Sequence, residues 1–186
     1  MKKKLMPLLI FFAIFNITAQ DTISSSQEEI VILKTVLDSR FFCFSLEDTI
    51  LLNCQQSKSY FLVEDFLHGE QPTTLKGIPT HVLQELEEAT KHVSPSVWDK
   101  IVIKNTLPKT NIKCVSDKKV EKWKKSDKWH STLYTVSKPI FDKSHTHCIV
   151  EVISSRHKTQ FSFISYFLVK VYGKWVVIEM FSFGIS

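Results

Sequence analysis

The sequence predicts an α+β domain, with N-terminal and middle helices packed on a C-terminal antiparallel sheet of about four strands. Residues 159–172 and 174–183 are long apolar stretches with a two-residue period, joined by a turn at Tyr172-Gly173-Lys174. This is the pattern of a β-hairpin. Helical patterns precede it at residues 27–38 and 80–93. Strands that follow helices in this way indicate helices packed on one side of a curved sheet.

Both faces of the predicted hairpin carry apolar side chains. In its first strand Phe167 and Val169 alternate with Leu168, and in its second strand Trp175 alternates with Val176. Strands with apolar residues on both faces are typically covered on both faces. We therefore expect the hairpin to be a central part of the sheet.

The two longer helices have recognisable start signals. Ser26 and Glu29 form a capping box before an apolar stripe that begins at Ile30. Thr80 is a candidate cap for the second helix, and Pro95 lies just beyond its last apolar residue. Both helices therefore begin where a side chain can accept a hydrogen bond from a free backbone amide.

The remaining elements are shorter. We interpret residues 41–44, 133–136 and 148–153 as strands, residues 116–125 as a short helix, and residues 100–114 as an extended connection. The sheet therefore falls mainly in residues 131–186. Residues 50–52 form a further apolar piece whose type the pattern leaves open.

Residues 1–19 have the layout of a secretory signal peptide. Lys2-Lys3-Lys4 precede an almost wholly apolar run at residues 5–17, and the small residue Ala19 stands at the expected cleavage site. The apolar run is shorter than the roughly 20 residues that usually span a bilayer. We therefore predict cleavage after Ala19 and a periplasmic or secreted protein. The mature chain, with no stable membrane span, would form one globular domain at residues 20–186.

Most of the apparent basicity belongs to this leader. The whole chain has 24 basic and 19 acidic residues, but three lysines lie in residues 1–19, which leaves 21 basic residues and a net charge of +2. The composition, 44% apolar and 23% charged, is that of a globular protein. Because the mature domain is nearly neutral, we do not predict nucleic-acid binding.

Four cysteines allow disulfides in the predicted mature chain: Cys43, Cys54, Cys114 and Cys148. An even number in an oxidising compartment permits two bonds, with three conceivable pairings. Four buried free thiols are the alternative, because a domain of this size does not need disulfides for stability. If they pair, Cys43 with Cys54 would close a short loop, and Cys114 with Cys148 would tie the middle of the chain to the sheet.

The densest group of titratable residues is His145-Thr146-His147. Residues two apart on a strand share a face, so His145 and His147 could together bind a transition metal. A zinc site needs three or four ligands, and the sequence does not supply the third. We therefore interpret the pair as exposed histidines at a strand entrance, keep the metal site as the weaker alternative, and predict no cofactor.

The enzymatic alternative is a small hydrolase or nuclease, metal-assisted if the histidine pair holds an ion. His130 or His157 would act as its general acid or base. The sequence contains no nucleophile elbow, zinc-protease motif, phosphate-binding glycine loop or C-x-x-C pair. Glu151 is the single charge in an apolar strand, and we interpret it as an outward-facing residue near a sheet edge.

Residues 113–129 form a strongly basic stretch in which Trp123 and Trp129 accompany the lysines. Surfaces that bind single-stranded nucleic acid have this composition, but lysine helices of mixed sign are usually solvated faces. We keep as a hypothesis a protein or anionic polymer that contacts Lys118, Lys122 and Lys125.

The C-terminal part of the chain resembles an uncharacterised family of small exported bacterial α+β proteins. The family pattern is a lysine-rich helix, a Trp, a Tyr, a Ser before the sheet, a G-x-W hairpin and an Ile-Ser end. It is carried here by residues 116–129, Tyr134, Val136-Ser137-Lys138-Pro139-Ile140-Phe141, Gly173-Lys174-Trp175-Val176-Val177 and Ile185-Ser186. The resemblance implies export and the α+β fold, and it implies no activity. Residues 154–158 lack the glycines that this family has before its long strand.

The sequence favours binding over catalysis. It contains no catalytic motif, and its 14 phenylalanines could line an apolar pocket between helices and a curved sheet, although they also suit a filled core. We therefore expect an exported, non-catalytic binding or interaction protein whose ligand the sequence does not name. The histidine-based hydrolase is the alternative.

Overall fold

The structure is a computed structural model that describes residues 25–39, 50–64, 78–106, 112–125, 132–157 and 160–185. The helices in these ranges are α1 (Ser25–Leu37), α2 (Thr80–His92), α3 (Lys100–Thr106) and α4 (Asp117–Lys124). The strands are β1 (Ile50–Asn53), β2 (Ile112–Val115), β3 (Leu133–Val136), β4 (Ile140–Phe141), β5 (His147–His157), β6 (Gln160–Val171) and β7 (Lys174–Ile185). The predicted signal peptide and the predicted strand at residues 41–44 lie outside the described residues.

The strands in these ranges form one mixed sheet of seven strands, in the order β2-β1-β3-β5-β6-β7, with β4 paired to β5. β3, β5, β6 and β7 form the predicted antiparallel part. β1, by contrast, runs parallel to both β2 and β3. The α+β fold is therefore confirmed, whereas the purely antiparallel sheet of about four strands is wrong. Parallel strands join through long crossovers, so no hairpin signal marks β1 and β2 in the sequence.

Residues 100–114 differ from the expected extended connection. They contain α3, whose Ile103 is buried in the core, and β2, which pairs with β1. The apolar residues at 101–103 are β-branched, and their low helix propensity hides a short helix that packing stabilises.

Helices cover both faces of the sheet. On one face, Leu33 of α1 and Ile103 of α3 pack in the cluster that contains Tyr166 of β6. On the other face, Leu86 of α2 packs in the cluster with Phe167 of β6, and α4 contributes a smaller cluster beside β3. The expected placement of helices on one side only is therefore wrong. Successive residues of the inner strands point to opposite faces, and both sets are apolar, so both faces need cover.

The predicted hairpin is present, with Tyr172 and Gly173 in the left-handed conformation at φ 49° and 76°. Two such residues are what a tight two-residue hairpin turn requires. The expected central position holds for β6, which lies between β5 and β7, but not for β7, which is the outermost described strand. Val176 and Ile178 on β7 are each 44% exposed. On β7 the apolar pattern on both faces thus belongs to an edge strand.

Candidate functional site

The turn between β4 and β5 is organised by Asp142, a residue that is only 2% exposed. Its carboxylate accepts hydrogen bonds from the Ser144 hydroxyl, the Thr146 amide at 2.8 Å and the His147 amide at 2.9 Å. Burial alone would raise the pKa of Asp142, but these hydrogen bonds outweigh it and lower the pKa to about 2. Asp142 is therefore a fixed anion that holds the turn.

His145 and His147 belong to different packing layers. His145 lies in the turn with φ 54°, stacks on Phe141 at 4.8 Å between ring centroids, and points Nδ1 at Glu28, 3.8 Å away. The ring of His147 packs 6.0 Å from that of Phe167, and its Nδ1 lies 3.1 Å from Asp142. The expected shared face does not form, because the left-handed residue interrupts the strand alternation. In the part of the chain that the structure describes, no three His, Cys, Asp or Glu residues are grouped to hold a metal.

The residues of the enzymatic alternative are only partly in view. His130 lies outside the described residues, and His157 is the last residue of β5, with a side chain that is not described. The hydrolase or nuclease hypothesis therefore stays a prediction.

Glu151 lies in the middle of the sheet and is 2% exposed, so its interpretation as an outward-facing edge residue is wrong. Both carboxylate oxygens lie 3.1 Å from the Tyr60 amide, which donates to them. The Glu151 amide in turn donates to the Ser137 hydroxyl at 2.9 Å. Burial raises the pKa of Glu151 to about 6, against the lowering effect of the Tyr60 amide. This carboxyl fastens the segment around Tyr60 to the sheet.

One outer edge of the described sheet is β2, and it is well protected. It has four residues, including the exposed Lys113. A disulfide joins Cys114 of β2 to Cys54, which follows β1. Short length and an edge lysine both discourage pairing with another chain.

The disulfide also decides the cysteine pairing. Because Cys54 is bonded to Cys114, the pairings of Cys43 with Cys54 and of Cys114 with Cys148 are wrong. Cys148 is a buried free thiol, and Cys43 lies outside the described residues. A disulfide indicates a non-reducing compartment. Among the described helices, none has the length and apolar character needed to cross a membrane.

The other outer edge is β7, and its backbone groups alternate in direction. Lys170 of β6 is the register partner of Trp175, yet its amide donates to Thr146 on the opposite side at 2.8 Å. Lys170 and Trp175 are therefore a pair without mutual hydrogen bonds, and the pairs on either side of them are bonded. It follows that the amides of Lys174 and Val176 point toward β6, while those of Trp175 and Val177 point to the open edge.

A groove of about 500 Å³ runs along this edge, between α1 and β7. Its lining residues come from the outer side of the helix and from the first part of the strand: Val31, Lys34, Thr35, Asp38, Ser39, Trp175, Val176 and Val177. Lys34 and Asp38 form an ion pair one helical turn apart. The groove therefore has a partly apolar floor with one base and one acid at its rim.

Glu28 fixes the inner wall of the groove. Its carboxylate accepts hydrogen bonds from Lys170 at 2.7 Å and from the Trp175 indole at 3.2 Å. Burial would raise the pKa of Glu28, but Lys170, Trp175 and His145 outweigh it and hold the pKa below its ordinary value. The Trp175 ring is thus held in place by the Glu28 carboxylate.

A second groove, of about 610 Å³, separates α2 from the β4–β5 turn. Its carboxylates are already paired: Glu88 lies 2.7 Å from Lys91 and 3.1 Å from His92, and Glu85 accepts from the Lys143 amide at 3.1 Å. These carboxylates of the groove therefore already have partners within the protein.

The lysines predicted to meet a partner lie on one side of α4. Lys118, Lys122 and Lys125 follow at intervals of four and three residues, and all three are exposed. Lys119 lies over the Trp123 ring, 5.0 Å from its centroid, and Trp129 is outside the described residues. A protein or anionic polymer partner at this helix stays a prediction.

Comparison with known proteins gives no relative from which to carry over a function: no family model, curated protein or solved structure matches the chain. The resemblance to an uncharacterised exported family therefore stays a prediction. The residues along β7 were not singled out from the sequence. Their signal was the apolar alternation on both faces, which we interpreted as that of a central strand.

Proposed function

We propose that this protein is an exported, non-catalytic interaction protein that binds an extended polypeptide segment along β7. The observation that carries the proposal is the outer edge of β7, which no described strand pairs with, beside the groove between α1 and β7. The disulfide between Cys54 and Cys114 supports export, because such bonds persist in oxidising compartments. The leader-like residues 1–19 support it independently.

The chemistry of the edge specifies the class of ligand. The outward amides and carbonyls of Trp175 and Val177 recur every second residue, a spacing that another extended backbone matches. Main-chain hydrogen bonds of this kind supply affinity in strand addition, and pockets for alternate side chains supply specificity. The groove between α1 and β7 is such a pocket, and it suits apolar side chains at alternate ligand positions.

The described titratable groups support binding over catalysis. Asp142, Glu28 and Glu151 each accept hydrogen bonds that hold a turn, the Trp175 ring or the segment at Tyr60. Each has a structural role that accounts for its burial. The hydrolase alternative would have to rest on His130 and His157.

The proposal is tested by selecting random peptides of about ten residues, displayed on phage, against the purified protein. We expect the selected peptides to have apolar residues at alternate positions. A selected peptide is then synthesised with N-methyl groups on alternate residues along one edge or along the other. Methylation of the edge that faces β7 should abolish binding in calorimetric titration, whereas methylation of the other edge should leave it unchanged.

Two variants test whether the selected peptide binds at β7. Val176→Lys places a charge on β7 and should abolish binding of the selected peptide, because edge lysines discourage strand pairing. The control is Ile101→Lys, an equally apolar residue on α3 that is 71% exposed. It should bind as wild type does. Failure to enrich any peptide, or equal binding by both variants, would contradict the proposal.

A further inference from the structure

The first residues of β7 form a short, regular and self-complementary edge. From Lys174 to Val177 they pair with β6 in uninterrupted register, and the register then shifts, because Leu168 pairs with Val177 and Phe167 with Glu179. Ile178 is thus an extra residue that ends the regular part. We infer that the strand that occupies this edge is β7 of a second copy, paired about a two-fold axis at Val176. This inference rests on the proposed function and names its partner.

The backbone groups fit such a pairing. A two-fold axis through Val176 sets Trp175 opposite Val177 of the second copy, and Val177 opposite its Trp175. Both residues point their amides and carbonyls to the open edge, as the alternation from Lys170 shows. Each facing pair can exchange two hydrogen bonds, as in any antiparallel ladder. A slip of one strand by one residue would oppose side chains on different faces, so only registers that differ by two residues compete with this one.

The side chains fit as well. The two copies of Val176 would face each other as a pair without mutual hydrogen bonds, in which side chains approach most closely. Val176 is 44% exposed, and this contact would cover its apolar surface. On the other face, Trp175 and Val177 from the two copies would lie side by side and extend the floor of the groove.

The arrangement also fixes how the two α1 helices face each other. A two-fold axis perpendicular to the sheet places the two α1 helices on the same face, antiparallel and on either side of the seam. The groove side of α1 carries Val31 with one base, Lys34, and one acid, Asp38. Because Lys34 and Asp38 are paired within α1, each helix meets its copy with a side on which the two charges cancel. Like-charge repulsion between the two helices at the seam is therefore small.

Sedimentation equilibrium over protein concentrations from about 1 µM to about 1 mM tests the inference. We expect wild type to dimerise, and Val176→Lys and Val176→Glu each to weaken the dimer by at least about tenfold, because like charges directly opposite destabilise a strand pair. An equimolar mixture of the two variants should recover dimers that contain one copy of each. Recovery requires position 176 of one copy to face position 176 of the other.

Ile101→Lys and Ile101→Glu are the control pair, and their mixture should behave as wild type. If wild type stays monomeric throughout this range, or if the mixed Val176 variants do not associate, the inference is wrong. A monomer that still binds the selected peptides through β7 would leave the proposed function standing with a different partner. A monomer that binds none would overturn both.

Discussion

The two outer strands of the described sheet differ in how they meet solvent. β2 is four residues long, carries the exposed Lys113 and is tied by a disulfide to Cys54, which follows the neighbouring β1. β7 is 12 residues long, exposes Val176 and Ile178, and lies beside the groove from α1. Both are outer strands of one described sheet. The β2 edge is protected against further pairing, whereas β7 presents apolar side chains and an outer edge that no described strand pairs with.

This difference teaches where to look for a partner. Proteins that remain monomeric blunt their edge strands with short length, lysines, bulges or covering elements. The β2 edge uses two of these devices together with a covalent bond. The β7 edge has the bulge at Ile178, and the residues between the turn and the bulge stay regular. That regular stretch is where pairing is expected.

The largest loss of stability is expected when the disulfide at the β2 edge is removed. Replacing Cys54 and Cys114 together by serine removes a bond between residues 60 positions apart and should lower the free energy of unfolding by about 4 kcal/mol. The measurement is urea unfolding of wild type and variant, with reduced wild type as the control that should match the variant. Equal midpoints for all three samples would mean that the bond does not fasten β2.

The centre of the sheet should control the pH dependence of stability. Glu151 has an ordinary pKa of 4.5 in the unfolded chain and about 6 in the folded protein, where burial favours the protonated form. Its stabilising contribution is therefore fully present below pH 4.5 and is lost as the pH rises through about 6. The difference between the two pKa values corresponds to about 2 kcal/mol in the free energy of unfolding.

Glu151→Gln should remove this loss between pH 4.5 and pH 7. Urea unfolding at a series of pH values for both proteins measures it. The same decline in the glutamine variant would assign the pH dependence to other groups.

The stability of the β7 edge should depend on packing and on one partly buried hydrogen bond. Trp175→Phe keeps a ring in the groove wall but removes the indole donor to Glu28, 3.2 Å away. Hydrogen bonds to charged groups contribute about 1.5 kcal/mol or more, so we expect a loss of that size in the free energy of unfolding. Glu28→Gln in the phenylalanine background should then cost less than it does in wild type. Equal costs in the two backgrounds would show that the two residues act independently.

The smallest effect on stability is expected from the substitution that most alters the β7 edge. Val176→Lys gives β7 the charge that Lys113 gives β2, and Val176 is half-exposed, so the free energy of unfolding should change by no more than about 0.5 kcal/mol. Urea unfolding at low protein concentration measures this change. A loss of several kcal/mol would mean that Val176 packs within its own copy and is not held for a partner.

The sequence predicted those elements whose signals are local. The hairpin turn at Tyr172 and Gly173 and helices α1 and α2 lie within a few residues of their expected bounds. The turn requires left-handed residues and the helices have amphipathic spacing, so neighbouring residues suffice to predict them. The pattern left the type of β1 open and missed β2, because four-residue strands in parallel pairing depend on contacts distant in sequence.

The candidate site was harder to predict, because it depends on strand order. The same alternation of apolar residues fits two kinds of strand. One is covered on both faces by helices of its own chain, and the other is an edge strand that can pair with another chain. Glu151 shows the reverse error, since a lone carboxylate in an apolar strand suggested an edge and proved to be central. The residue pattern of a single strand shows which of its faces are apolar. Only the order of the strands in the sheet shows what covers those faces.

Amide hydrogen exchange along β7 tests the central claim most directly. Lys174 and Val176 point their amides to β6 and serve as internal references, because they should be protected at every concentration. The amides of Trp175 and Val177 should exchange rapidly in dilute protein and become protected as the concentration rises or as a selected peptide is added. Trp175 and Val177 amides that exchange rapidly under all of these conditions would show that no strand pairs with β7, and would contradict the account.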